Sequence, residues 1–144
     1  LGVDGSASND SSDLLGEARQ AMLLARLATE LNDSGDTPMP AREALELATL
    51  GGAAVLGRDD IGALEAGRCA DAIAVDLDQV GFSGGRHDPV AALLLCAPVG
   101  VDHAWVHGRP VVADGQVTGV DVRSLVTAHG QAARDLLAST VRQG

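Results

Sequence analysis

The sequence has almost no aromatic side chains: its 144 residues include Phe82, Trp105 and no tyrosine. The core must therefore be assembled from alanine, leucine and valine, which lets elements pack closely but offers few large anchors. Cysteine is as scarce. Cys69 and Cys96 form no Cys-x-x-Cys pair, and two thiols make no disulfide scaffold. Both are expected as free, buried thiols of a reducing compartment. Basic residues are few, 10 against 20 acidic ones, for a net charge of −10. That balance lacks the basic stripe a phosphate backbone requires and disfavours an anionic membrane surface. No apolar run reaches the roughly 18 to 20 residues of a bilayer span, and no secretory signal is legible. The expectation is a cytoplasmic enzyme with no nucleic-acid and no membrane partner. What is present is a globular composition, 46% hydrophobic, long enough for one domain with a real core.

The order of patterns predicts three blocks. In residues 1–57, Leu1 to Val3 reads as the tail of a strand. Ser11, Ser12 and Asp13 offer N-caps, and Leu14, Leu15, Ala18, Met22, Ala25 and Ala28 keep helical spacing to about Leu31. Asn32 to Pro38 reads as a polar loop. Pro40 opens a helix over 41–50, Gly51 and Gly52 interrupt it, and Gly57 stops a further turn. In residues 58–120, Ile61 to Gly67 reads as a turn-rich β segment and Cys69 to Val75 as a buried strand. Gln79 to His87 is a Gly-rich loop, and Asp88-Pro89 starts a short helix to about Leu95. Val101 to Val106 and Pro110 to Ala113 read as strands joined at His107-Gly108-Arg109, with Asp114-Gly115 turning into Gln116-Val117. In residues 121–144, Asp121 caps a last helix with Leu125, Val126, Ala132, Ala133, Leu136 and Leu137 on one face. The first block has no sheet of its own to cover.

Asp4 is the residue with most chemical content. It ends a short apolar run and is followed at once by Gly5 and small polar residues, Ser6 to Asp10. A strand delivers a catalytic carboxylate to the mouth of a sheet or barrel in this way. Because the pattern stands at position 4, the chain is expected to be a piece of an enzyme.

Gly2-Val3-Asp4-Gly5 followed by Ser8-Asn9 resembles the segment after the eighth barrel strand of amidohydrolase-superfamily deaminases. The helix from Glu43 to Leu56 and the run Ile61 to Asp71 are similar to the crossing from barrel to small β domain in that superfamily. His87-Asp88-Pro89 and the hairpin Val106 to Gly115 resemble the rest of that domain. Asp4 to Asp10, Gly16 to Ala21 and Asp88 to Leu93 most resemble the 8-oxoguanine and guanine deaminases and the hydroxyatrazine ethylaminohydrolase-like proteins.

The resemblance implies an α/β fold. The chain would be the C-terminal part of a metal-dependent hydrolase (β/α)8 barrel plus a small composite β-sandwich. It implies one divalent metal, zinc or iron, and hydrolytic deamination of a purine-like or triazine-like ring, with water attacking the amino-bearing carbon. Barrel catalysis sits at the C-terminal ends of the strands, and a carboxylate there can take a proton from water and pass it to the leaving amine. Asp4 matches that role as catalytic group and metal ligand, and Ser8 and Asn9 are the substrate-binding candidates. The His-x-His pair, the further His ligands and the Glu proton shuttle of the superfamily have no counterpart here. His87, His103, His107 and His129 do not match those positions. A catalytic zinc needs about three protein ligands, so the fragment alone is expected to be inactive.

Other residues carry plainer readings. Ser8 and Asn9 also suit hydrogen bonds to their own loop. Glu17 and Arg19 suit a solvated helix face or a local ion pair, with a buttress for the Asp4 loop as the alternative. His87 and Asp88 suit a turn and a cap. His103 and His107 share a strand face, where solvated side chains are commoner than a metal pair. His129 suits an exposed helix face and Cys96 a packed thiol, and Gly84-Gly85-Arg86 lacks the ending of a phosphate cradle. The competing functional class is a free-standing β-sandwich and helical interaction domain without catalysis. Helices that should cover a barrel would expose apolar faces, so a homo-oligomer is expected.

Overall fold

The computed structural model describes residues 1–32, 35–96 and 99–141. Helix α1 spans Leu14–Asn32, α2 Ala41–Ala48, α3 Leu50–Val55, α4 Pro89–Leu95 and α5 Val122–Val141. Four short strands, β1 Ala72–Ala74, β2 His103–Val106, β3 Arg109–Ala113 and β4 Gln116–Val117, form one antiparallel sheet in the order β1-β2-β3-β4. Residues 33 and 34 of the expected polar loop and residues 142–144 of the last block lie outside the described residues.

Local hydrogen bonds start the helices where the sequence offers caps. Of the three candidates before α1, Asp13 takes the role, its Oδ1 accepting from Gly16 N at 3.0 Å. Asp88 Oδ1 accepts from Ala91 N at 3.0 Å, with Pro89 in the first turn of α4. Asp121 caps α5 through Ser124. Both hairpin turns need left-handed backbone at two successive positions. His107 and Gly108 have φ of 51° and 73°, and Asp114 and Gly115 have 50° and 71°.

The core lies between α1, α2 and α4, where Ala18, Met22, Ala41, Ala44 and Leu94 pack together with Leu15, Met39, Val90 and Leu95 around them. Alanine dominates, as expected, but among the described residues no valine is fully buried. Met22 and Phe82 are the large buried anchors. Phe82 sits in a 3₁₀ turn over Val80–Phe82, so the Gly-rich loop contributes to the core instead of merely linking elements. Gly62, at φ 85°, closes the chain under the α2–α3 junction. A Cβ there would stand 3.0 Å from Ala53 Cβ and 3.1 Å from the Thr49 carbonyl oxygen.

Several expectations are corrected. Leu1 to Val3 and Ile61 to Gly67 are not strands. They have no ladder partner, and Ile61 to Gly67 is bends and turns instead. The strand expected over 69–75 shortens to β1, and that over 101–106 to β2, because pairing extends only where the neighbouring strand continues. A bulge between Ala104 and Trp105 also breaks the β2–β3 register. Cys69 and Cys96 are free but half-buried. Of the face expected on α5, Leu125, Val126, Ala132, Ala133, Leu136 and Leu137 are all exposed, in keeping with the expected uncovered apolar surface.

Candidate functional site

The loop from Asp4 to Asp13 leads into α1 and is built by its own hydrogen bonds. Asp4 has φ 61°, a left-handed conformation that a non-glycine residue holds only when its surroundings fix it. Its Oδ1 accepts from Gly5 N at 2.7 Å, and the side chain is exposed. The Gly5 carbonyl oxygen accepts from Ser8 N at 2.9 Å and Asn9 N at 3.1 Å, closing a turn directly behind Asp4.

Asn9 anchors this turn. Its Oδ1 accepts from the N and the Oγ of Ser11, each at 3.0 Å, and its Nδ2 donates to Glu17 Oε1 at 2.6 Å. Glu17 is half-buried on the first turn of α1, next to the fully buried Ala18. The structure therefore favours the buttress reading of Glu17 over the solvated face. Arg19 is exposed on the same helix. Ser8 is exposed in the turn beside Asn9.

A carboxylate oxygen is a suitable donor for a divalent metal. Asp4 fits as a single ligand, presented on an exposed turn with one oxygen held by Gly5 N. Among the described residues no group of three or more His, Cys, Asp or Glu could hold a metal. A complete site needs donors that these residues do not supply.

The histidines do not converge. His103 stacks on Trp105 with ring centroids 5.8 Å apart, and its Nε2 lies 3.9 Å from Asp114 Oδ1. His107 sits in the hairpin turn, its backbone N donating to Asp71 Oδ1 at 2.6 Å, and His129 is exposed on α5. Asp88 caps α4, and Cys96 packs beside Gly85 at the end of that helix. Arg86 of the Gly-rich loop pairs with Asp78 at 2.7 Å.

Sequence reasoning gave no role to one cluster. Cys69 Sγ donates to Asp60 Oδ2 at 3.3 Å, and Arg58 reaches both oxygens of Asp60 at 2.8 and 2.6 Å. Arg58 holds the Asp60 carboxyl well below the usual carboxylate range, and the hydrogen bond to Asp60, then burial, push the Cys69 thiol up. The Arg58-Asp59-Asp60 run, charged and adjacent to a turn, was the available signal.

Comparison with known proteins adds a family frame. The amidohydrolase family model matches residues 1–116. The chain is 47% identical over 138 residues to an 8-oxoguanine deaminase of Pseudomonas aeruginosa, covering 96% of this chain and 29% of that protein. It is 40% identical over 154 residues to a hydroxydechloroatrazine ethylaminohydrolase of a Pseudomonas species, covering 100% of this chain and 31% of that protein. Among solved structures, an adenosine deaminase from Xanthomonas campestris with bound zinc superposes with a TM-score of 0.81 at 33% identity. That match covers 94% of this chain and 30% of the other. The chain thus spans about three tenths of the length of the relatives it matches.

Proposed function

Because this chain belongs to the amidohydrolase family, we propose that it is the C-terminal portion of a metal-dependent aminohydrolase that deaminates a purine-like heterocycle of the 8-oxoguanine or guanine type. The relatives include deaminases, and a zinc-bound one shares the fold. The observation that carries the reading is Asp4, held left-handed at φ 61° on an exposed, internally hydrogen-bonded turn. In this reading residues 1–57 hold the end of the eighth barrel strand and its following helices. Residues 58–120 belong to the composite β-sandwich, and residues 121–144 close the chain.

Asp4 would be one ligand of a divalent metal, zinc or iron. Such a metal, when bound, lowers the pKa of a water molecule toward neutrality and so supplies the nucleophile. The Asp4 carboxylate would act as the proton carrier of the reaction, accepting a proton from the attacking water and returning it to the departing amine. Ser8, exposed in the turn, and Asn9, with one N–H engaged by Glu17, form the substrate side of the loop. The charge of −10 suits a small heterocyclic substrate rather than nucleic acid or an anionic membrane. No described helix is long and apolar enough to cross a membrane, and a cytoplasmic setting is part of the proposal.

The test compares this chain with the longer protein that carries it. Ammonia release is measured from 8-oxoguanine, guanine and a hydroxylated aminotriazine, together with metal content. The longer protein should turn over a purine and hold metal, and the isolated 144-residue chain should do neither. Asp4→Asn in the longer protein should lower kcat about 100- to 10,000-fold, the range of general acid–base catalysis. Turnover with bound metal in the isolated chain would sink the claim that the fragment is inactive. Retention of full activity by Asp4→Asn would sink the role of Asp4, and absence of turnover on every ring offered would sink the deaminase reading.

A further inference from the structure

The Asp4 turn is connected to the core by a continuous run of hydrogen bonds. Gly5 N donates to Asp4 Oδ1 at 2.7 Å, and the Gly5 carbonyl accepts from Asn9 N at 3.1 Å. Asn9 Nδ2 donates to Glu17 Oε1 at 2.6 Å, a short bond of the kind a charged acceptor makes. The Glu17 backbone is in turn fixed in α1, where its N donates to the Asp13 carbonyl at 3.0 Å and the adjacent Ala18 is fully buried among Met22, Ala44 and Leu94. Asn9 cannot swing away without releasing both bonds from Ser11.

A solvated helix glutamate would reach into water. Glu17 instead spends an oxygen on the loop that precedes its own helix, eight positions back in sequence. The loop has few apolar contacts of its own: most of residues 4–12 are exposed, with Asn9 half-buried. A loop of this kind is held chiefly by hydrogen bonds, so one bond to a rigid helix decides much of its conformation.

We propose that Glu17 is a positioning residue: acting through Asn9, it holds the turn in which Asp4 adopts its left-handed backbone, and so sets where the Asp4 carboxylate points. This rests on the reading of Asp4 as metal ligand and proton acceptor, and it assigns the buttress of that carboxylate to a named side chain. Partners behind a metal ligand typically change affinity or rate by about 10- to 100-fold when removed.

The experiment uses four variants of the longer protein. Glu17→Ala removes the acceptor. Glu17→Gln keeps an amide oxygen for Asn9 Nδ2. Asn9→Asp sets a carboxylate against Glu17. The double variant N9D/E17Q restores the hydrogen bond in the opposite direction, the new amide donating to the new carboxylate, while the acceptor for Ser11 is kept. Zinc affinity is measured by titration with zinc alone, and kcat and KM separately. In the isolated chain, side-chain amide NMR of Asn9 reports the bond without any metal or activity.

E17A should lower zinc affinity and kcat about 10- to 100-fold with little change in KM, and N9D should lower both by as much and also raise KM, because Asn9 lies on the substrate side of the loop. E17Q should stay near wild type, and N9D/E17Q should recover most of the loss from N9D. The Asn9 amide signal should shift, and its exchange with solvent quicken, in E17A. If E17A binds zinc and turns over as wild type while Asp4→Asn does not, Glu17 has no positioning role although the function stands. If E17A and N9D lose only thermal stability at unchanged kcat and zinc affinity, the role is merely structural and the proposal falls. If Asp4→Asn keeps both metal and activity, it is the reading of Asp4 that fails, whatever Glu17 does.

Discussion

Cys69 shows how neighbours set the chemistry of a single residue. Its thiol meets Asp60 at 3.3 Å, its backbone N donates to the Asp60 carbonyl at 2.7 Å, and Arg58 lies 3.7 Å from the sulfur. The carboxylate disfavours a thiolate more than the guanidinium favours one, so the thiol stays protonated above the ordinary range. Cys69 should therefore alkylate several-fold more slowly than a free cysteine at mildly alkaline pH, and Asp60→Asn should speed it, as read by mass spectrometry after timed labelling. Equal rates in the two proteins would contradict this account. Asp4 was legible in the sequence as a residue because a carboxylate before glycine is a local pattern. Glu17 was legible only as one of two alternatives, because spacing along a helix does not reveal what lies opposite it. The Arg58-Asp59-Asp60 run marked a local charge pair, but its meeting with Cys69 could not be read, since that joins residues 58 and 69 through a fold in the chain.

Elements followed the sequence wherever one local hydrogen bond decides them. Asp88 and Asp121 stood out as caps because the donors they satisfy lie three residues on, at Ala91 and Ser124. Strands were read less well, since a strand exists only if another pairs with it. Leu1 to Val3 has strand composition and no partner, and β1 reaches no further than its three-residue match with β2. The cap of α5 makes a pH prediction. Hydrogen bonds from the Ser124 hydroxyl and N hold the Asp121 carboxyl below its ordinary value of 3.8. A group whose folded value is lowered stabilises above its unfolded value and loses that contribution as pH falls through the folded one. Helix α5 should accordingly fray as pH drops below 3.8, seen as lost far-ultraviolet circular dichroism. Asp121→Asn should remove the acid step, because asparagine caps comparably without titrating. An identical acid transition in that variant would refute the assignment.

Across the whole molecule, apolar surface is left uncovered. Leu24, Leu27 and Leu31 lie exposed along α1, and Leu125, Val126, Leu136 and Leu137 along α5. Apolar area of this kind favours association, and we propose that the isolated chain self-associates. Light scattering at micromolar concentration should give at least a dimer, and Leu24→Glu with Leu27→Glu should shift it toward monomer. A monomeric parent chain would overturn the proposal. By itself the sequence determined where the long helices begin, the positions of the two hairpin turns, the Asp88 and Asp121 caps and the resemblance carried by Asp4 to Asp10, because each depends on residues a few positions apart; the break expected at Gly51 and Gly52 falls instead at Thr49, and both glycines lie inside α3. Only the tertiary structure decided that Met22 and Phe82 anchor an alanine-rich core, that His103 and His107 do not converge, and that Glu17 reaches back to Asn9 behind Asp4. Those outcomes depend on which faces meet in space, and periodicity along the chain does not specify the partner that a face will find.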